Sequence, residues 1–294
     1  MATFLEASTD RLHVPHRFGV LGSPIAHSKS PLLHRTAYQA LGLPWEYDAY
    51  EVDSDALAGF VGGLDSPWRG LSLTMPLKET VLPLLDEVDA IGRATGAVNT
   101  VLITVAEGSR RLTGFNTDVY GIRAALEDAG ITASGHALVI GAGATARSAV
   151  AAVAQLGAEH VTIALRSPDR AAEVVETARA SGLSSTVVAL DDDALAVIEP
   201  DLTVSTLPGG AGVGVRFSGS VASSSSPLLD VAYHPWPSDL ASVWEEAGSR
   251  AVPGVAMLVH QAVAQIRVFV HGDPLLPLTD EPRITAALLA AVDL

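Results

Sequence analysis

Between residue 17 and about residue 118, short apolar runs alternate with runs whose apolar residues recur every three or four positions. "RFGVLG" is of the first kind and predicts a strand. "SPLLHRTAYQALGL" is of the second and predicts a helix with Ser30 as N-cap and Pro31 at its first position. A strand at "EYDAYEV", a helix at "DALAGFVGGL" capped by Asp53 or Ser54, a strand at "GLSLT" and a helix at "LKETVLPLLDEV" continue the pattern. Strands alternating with helices imply a mostly parallel α/β layer. The pair "VNTVLITV" and "RRLTGF", separated by "AEGS", predicts a hairpin leading into the helix "DVYGIRAALEDAG", a candidate domain boundary.

From "HALVIGAGATARSAVAAVAQLG" a second α/β block begins, with strands expected near "VTIAL", "TVVAL", "DLTVST" and "LLDVAY". The final segments "GVAMLVHQAVAQIRVFVHG" and "RITAALLAAV" read as helices with apolar faces and no strand of their own. A loose polar tail is expected over residues 1–16, and the serine run at 223–227 reads as a solvated loop.

Composition narrows the class. A chain of 294 residues, 48% apolar and 17% charged, has material for one or two packed domains and is not intrinsically disordered. A net charge of −15 argues against nucleic acid or an anionic membrane as partner, while leaving room for a local basic pocket for a small anion. Without cysteine there are no disulfides, thiolate metal sites or cysteine nucleophiles. The opening residues lack a basic start and a continuous apolar core, and no uncharged apolar run approaches the roughly 20 residues of a membrane span, so a soluble cytoplasmic protein is expected. The histidines at 13 and 16 and at 27 and 34 lack the spacing of a metal site, and no metal is expected.

Two features carry chemistry. Gly141, Gly143 and Ala146 stand in G-x-G-x-x-A order between an apolar strand and an alanine-rich helix. That arrangement permits a tight turn, close approach of a pyrophosphate and close packing of helix on strand, with the helix N-terminus facing the anion. The following strand ends in "ALRSPDRA", where an acidic residue would accept from a ribose 2′-hydroxyl and an arginine would accommodate a 2′-phosphate. Arg166, Ser167 and Arg170 favour NADP(H) over NAD(H), unless they are a solvated arginine pair with Asp169 merely starting a helix.

The second feature is lysine usage. Of 18 basic residues only Lys29 and Lys78 are lysines, and a lysine amine can lose its proton where a guanidinium cannot. Lys78 belongs to "SLTMPLK", which with "GSPIAHSKSP", "GAVNT" and "GFNTD" forms four polar clusters at expected strand ends. Such hydroxyl and amide groups suit a hydroxylated ligand that needs directional hydrogen bonds. Taken singly, each residue has a plainer reading: Ser30 caps a helix, Asn99 and Asp118 stabilise turns, Tyr233 and Gln261 pack, and Lys78 is an exposed helix residue.

Taken in order, "GSPIAHSKSPLLH", "LTMPLK", "GAVNT", "GFNTD", "GAGATAR", "STLPGG", "LLDVAYHPWPSDL" and "GVAMLVHQA" resemble the motifs of the shikimate dehydrogenase family, from about residue 17 to the C-terminus. The resemblance implies a substrate-binding domain with a mostly parallel mixed sheet over 1–118 plus 254–294. It implies a Rossmann-type NADP-binding domain over 119–253, with the C-terminal helices returning to the first domain. The implied activity is reversible reduction of 3-dehydroshikimate to shikimate by NADPH, a step of aromatic amino acid (chorismate) biosynthesis, by a monomer or homodimer. Ser28 and Ser30 would hold the substrate carboxylate, and Thr74, Asn99 and Gln261 the ring hydroxyls, with Tyr233 close to the same pocket. Lys78 would be proton donor and acceptor paired with Asp118. The cofactor would contact Gly141, Ala142, Gly143, Ala144, Ala146, Arg166, Ser167, Arg170, Thr206, Leu207 and Pro208, with Gly254 and Met257 near the nicotinamide.

Chemistry agrees with these roles, because hydride addition to a ketone creates negative charge on oxygen and calls for a positioned proton donor. Three positions depart from the commonest family pattern: Ser72 and Leu165 stand where asparagine is usual, and Arg35 where asparagine is frequent. A quinate/shikimate dehydrogenase using NAD(P) and a non-catalytic NADP(H)-binding sensor are the competing readings.

Overall fold

The structure is a computed structural model that describes residues 14–106, 108–209, 217, 221–222 and 225–293. The expected tail through residue 13, Gly210 of the "STLPGG" segment, and Ser223 and Ser224 of the serine run lie outside the described residues.

The chain packs as two units, one made of the described residues through Thr117 together with those from Gln261 onward, the other Asp118–His260. The sequence reading drew the second crossing at residue 254, ahead of the long C-terminal helix, whereas packing divides that helix between His260 and Gln261.

The first unit runs β1 (Arg17–Gly22), α1 (Ser30–Leu41), β2 (Glu46–Glu51), α2 (Leu57–Gly62), β3 (Trp68–Leu73), α3 (Leu77–Thr80), β4 (Glu87–Val88), α4 (Ala90–Thr95), β5 (Thr100–Ala106) and β6 (Ser109–Phe115). Its sheet order is β2-β1-β3-β5-β6-β4. The strands β2, β1 and β3 are parallel, and β5 is antiparallel to both β3 and β6, so the sheet is mixed. Burial follows position: β3, inside the sheet, is almost wholly buried, while in β2 at the edge only Tyr47 is buried.

The second unit runs α5 (Asp118–Asp128), β7 (His136–Ile140), α6 (Ala144–Gln155), β8 (His160–Leu165), α7 (Ala172–Ala180), β9 (Ser184–Ala189), α8 (Asp192–Leu195), β10 (Leu202–Ser205), β11 (Leu228–Asp230), α9 (Asp239–Glu246) and β12 (Ala251–Pro253). Its sheet, β12-β11-β10-β7-β8-β9, is parallel throughout. Read from β9, the order is third, second, first, fourth, fifth, sixth strand of the unit, the doubly wound Rossmann arrangement. The central strands β7, β8 and β10 are almost wholly buried, as strands covered by helices on both faces must be.

Helix α10 (Gly254–His271) leads into α11 (Glu281–Ala291), which packs on α1. The buried Arg267 guanidinium holds this turn: Nε and Nη2 donate to Glu281 at 2.8 and 2.5 Å, and Nη1 donates to Pro274 O at 2.9 Å. The C-terminal helices thus return to the first unit as expected.

Several local expectations change. The helix read through "LKETVLPLLDEV" stops at Thr80, followed by a single 3-10 turn at Leu82–Leu84 and the short β4. Pro83 is the reason, since it lacks an N–H and its ring clashes with a helical preceding turn. Ser30 is the first residue of α1 rather than its cap, and Lys29 holds the N-cap position without a side-chain bond. The strands β4 and β12 have two and three residues, too short to leave a hydrophobic period in the sequence.

Candidate functional site

In the first unit the polar clusters meet at one end of the sheet, beyond the C-terminal ends of β1 and β3, where the antiparallel β5 begins. After β1 the chain is pinned by Glu51, whose carboxylate accepts from Ser23 Oγ at 2.6 Å and from the Ile25 N–H at 2.9 Å. Ser28 Oγ accepts from the Ser30 N–H at 3.3 Å, so Ser28 does the local work at the start of α1 and Ser30 is buried beneath it. Thr74 follows β3, its N–H donating to Leu21 O at 2.9 Å. The backbone of Lys78, four residues on, is tied to the start of β5 by Val98 N–H donating to Lys78 O at 2.8 Å.

Asn99 is the best-fixed side chain of the cluster. Its Oδ1 accepts from the Thr117 N–H at 2.9 Å and from Thr100 Oγ1 at 2.8 Å, and its Nδ2 donates to Thr117 Oγ1 at 2.9 Å and to Gln261 Oε1 at 3.4 Å. Gln261 and Asn99 are both buried. Ser28, Ser30, Thr74, Lys78, Asn99 and Gln261 therefore all belong to the first unit. Asp118 follows Thr117 by one peptide bond, buried as the first residue of α5 at the start of the second unit. A carboxylate there is stabilised by the positive end of the helix.

The second unit carries the other half of the expected chemistry. Gly141 ends β7 with φ 121°, a conformation closed to other residues, and a Cβ there would overlap Thr206 Oγ1. Thr206 is held in place by donating its Oγ1 hydrogen to Ile140 O at 2.8 Å. Gly143 is the N-cap of α6, and a Cβ added to it would meet nothing within 4 Å. Ala146 is fully buried against the sheet, the close packing that a small third residue allows.

A cavity of about 250 Å³ opens here, lined by Gly141, Ala142, Gly143, Ala164, Leu165, Arg166, Ser167, Arg170, Leu190, Leu207 and Pro208. The fit to a dinucleotide is good: glycines where a pyrophosphate must approach, a twelve-residue helix presenting its N-terminus, and two exposed arginines beyond the end of β8. Ala144 and Ala146 are not part of the lining, nor is Thr206, which acts through Gly141. The buried Arg147 is engaged with Glu173 on α7.

Gly254, Met257 and Tyr233 form a separate group in this unit. A Cβ on Gly254 would overlap the Val231 carbonyl, and its N–H donates to Ala232 O at 3.3 Å. The start of α10 thus sits directly on the segment that carries Tyr233, whose phenol burial pushes above its ordinary pKa, and Met257 is buried one turn along. Tyr233 lies in the nucleotide-binding unit, not in the unit that holds the Ser28 to Asn99 cluster.

Comparison with known proteins agrees with both halves. A family model described as the shikimate dehydrogenase substrate binding domain matches residues 20–101, and one described as shikimate / quinate 5-dehydrogenase matches residues 124–207. The NADP(+) shikimate dehydrogenase of Geobacter metallireducens is 37% identical over 266 residues, covering 87% of this chain and 91% of the relative. The chain belongs to the shikimate dehydrogenase family. Among solved structures, Mycobacterium tuberculosis shikimate dehydrogenase is 40% identical with a TM-score of 0.80, covering 94% of this chain and 100% of that one. The Thermus thermophilus shikimate 5-dehydrogenase, solved in complex with NADP(H) and shikimate, is 33% identical with a TM-score of 0.77, covering 94% and 99%.

Within this member of the family the three departures from the commonest pattern have distinct places. Arg35 donates from Nε to Tyr47 O at 2.8 Å and pairs with Asp48, tying α1 to β2 at the surface. Leu165 lines the nucleotide cavity as an apolar wall. Ser72 is buried in a polar chain with Tyr47 and Gln265 that the motifs did not reveal. Gln265 stands four residues after Gln261 on α10, and His34 four after Ser30 on α1, so helical spacing alone would have put each beside a predicted site residue. Leu190 of the cavity wall follows no motif and comes just after the end of β9.

Proposed function

We propose that this protein interconverts 3-dehydroshikimate and shikimate with NADP(H), using Lys78 as the proton donor and acceptor and Asp118 as its partner. The observation that carries the reading is likeness to shikimate dehydrogenases over nearly the whole chain, together with the presence of Lys78 and Asp118 in its sequence motifs. Ser28 and Ser30, at the start of α1, hold the substrate carboxylate. Thr74, Asn99 and Gln261 bind ring hydroxyls. The nicotinamide, when bound, supplies or accepts the hydride. As charge grows on the ketone oxygen, the Lys78 ammonium stabilises it and passes it a proton; in reverse the amine takes the proton from the hydroxyl.

The decisive assay sets shikimate and quinate against NADP⁺ and NAD⁺, following near-ultraviolet absorbance of the reduced nicotinamide. Faster turnover of quinate with NAD⁺ than of shikimate with NADP⁺ would transfer the chain to the quinate branch. Binding of NADPH without any turnover would leave the sensor reading.

Cofactor choice is tested at Arg166. Removing a charge-assisted contact to a 2′-phosphate is worth roughly 1.5–3 kcal/mol, so Arg166→Ala is expected to raise KM for NADP⁺ by about 10- to 100-fold and leave that for NAD⁺ within about twofold. Equal effects on both would exclude the 2′-phosphate role.

The two glycines separate fold from binding. Gly141→Ala is expected to lower Tm, because φ 121° and Thr206 both oppose a side chain; strain of this kind costs about 1–3 kcal/mol. Gly143→Ala places its methyl in open space and is expected to keep Tm while weakening NADPH binding by about tenfold, measured by fluorescence titration. Wild-type NADPH affinity in Gly143→Ala would put the pyrophosphate elsewhere.

A further inference from the structure

Behind the cluster of the first unit runs a buried chain of hydrogen bonds: Tyr47 OH to Ser72 Oγ at 2.6 Å, Ser72 Oγ to Gln265 Oε1 at 2.8 Å, His34 Nε2 to Gln265 Oε1 at 3.0 Å, and Gln265 Nε2 to Asn99 O at 3.1 Å. All five residues are buried. Its polarity follows from one end. The Asn99 carbonyl can only accept, so the nitrogen of the Gln265 amide must face it and the oxygen must face His34 and Ser72. Both of those then donate. His34 carries its proton on Nε2, leaving Nδ1 to accept from Tyr38 OH at 3.3 Å. Ser72 has spent its only proton, so the Tyr47 phenol donates to Ser72.

We propose that Gln265 is a positioning residue for the substrate: one amide fixes the seat of Asn99 and orders Ser72 and Tyr47 behind it. The proposal rests on the shikimate dehydrogenase reading. The Asn99 carbonyl also accepts from the Leu73 N–H at 2.8 Å, so Gln265 fills its remaining lone pair and locks the junction of β3 and β5 beside Thr74. If the chain is cut at Gln265, the Asn99 carbonyl loses one of its two donors and Ser72 and Tyr47 lose their fixed direction.

The test compares wild type, Gln265→Met, Tyr47→Phe and the double variant, with folding checked by thermal melting and by NADPH binding, which involves the other unit. Gln265→Met is expected to raise KM for shikimate about tenfold with kcat and KM for NADP⁺ within about twofold, and Tyr47→Phe on that background is expected to add almost nothing. A folded Gln265→Met with unchanged KM for shikimate, or effects of the two substitutions that simply multiply, would overturn the proposal. If Gln265→Met does not fold, Ser72→Ala replaces it in the same cycle, where coupled effects support the chain and multiplying effects overturn it. A wild-type protein that fails to reduce NADP⁺ with shikimate defeats the functional reading itself, whereas an active wild type with an indifferent Gln265→Met defeats only this inference.

Discussion

Lys78→Ala is expected to lower kcat for shikimate oxidation by about 10²- to 10⁴-fold, the usual worth of a positioned general acid or base, while the Kd for NADPH stays within about twofold. That span corresponds to about 3–5 kcal/mol of transition-state stabilisation. Two losses combine: no group remains to move the proton, and no cation faces the developing alkoxide. Lys78→Arg separates them, because arginine restores charge but cannot act as a base. We expect only partial recovery, by the same factor in kcat/KM for the two directions because both pass through one transition state. Equal turnover for Lys78→Arg and wild type in both directions would rule out proton transfer by Lys78. The substitution removes a side chain from a four-residue helix whose backbone is tied to Val98, so the local fold is expected to survive.

The second large effect concerns acid stability. His34 is fully buried, stacked on Tyr47 with ring centroids 3.9 Å apart, and desolvation lowers its pKa from 6.5 to about 3 despite an opposing contribution from Gln265. Its ring neighbours are Tyr38, Tyr47 and Phe269, and its hydrogen bonds go to Tyr38 and Gln265, none of which is charged below pH 7. The unfolded chain therefore binds a proton at this histidine before the folded one does. Stability from keeping it neutral is complete above about pH 6.5 and declines as pH falls toward 3, where the folded imidazole also protonates. At about 1.4 kcal/mol per pH unit, the loss between pH 6.5 and 4 is on the order of 3 kcal/mol. Carboxylates add their own acid sensitivity, so the measurement is a difference. Urea midpoints of His34→Gln and wild type, followed from pH 7 to 4, should converge as pH falls, and parallel curves would show that His34 does not titrate on unfolding.

How far the chain could be read in advance depended on the range of the interaction. The strand β1 was legible to the residue, because "RFGVLG" is a local apolar run, and so was the turn from β7 to α6, because only glycine tolerates the conformation at Gly141. The catalytic and ligand-binding candidates rest on a different signal: their residue types recur in a fixed order that matches a family. What failed locally failed for local causes of shorter reach, as when Pro83 ended a helix whose apolar period ran on. What failed globally was the polar chain through His34, Tyr47, Ser72 and Gln265. Its members come from two helices and two strands and are separated by up to 231 positions, as His34 is from Gln265.

From the order of residues alone came the α/β class, the dinucleotide turn, the preference for NADP(H) and the proposed roles of Lys78 and Asp118, each read from short-range conformational preference, chemical type or motif order. Tertiary packing settled the rest. It divided α10 between two units, made Ser28 rather than Ser30 the acceptor at the start of α1, and seated Asn99 in a cage of Thr100, Thr117 and Gln261. It also gave every proton of the Tyr47 to Asn99 chain a direction. A buried donor or acceptor must find a partner wherever the fold brings one, and which partner that is depends on distances between segments that no local pattern encodes.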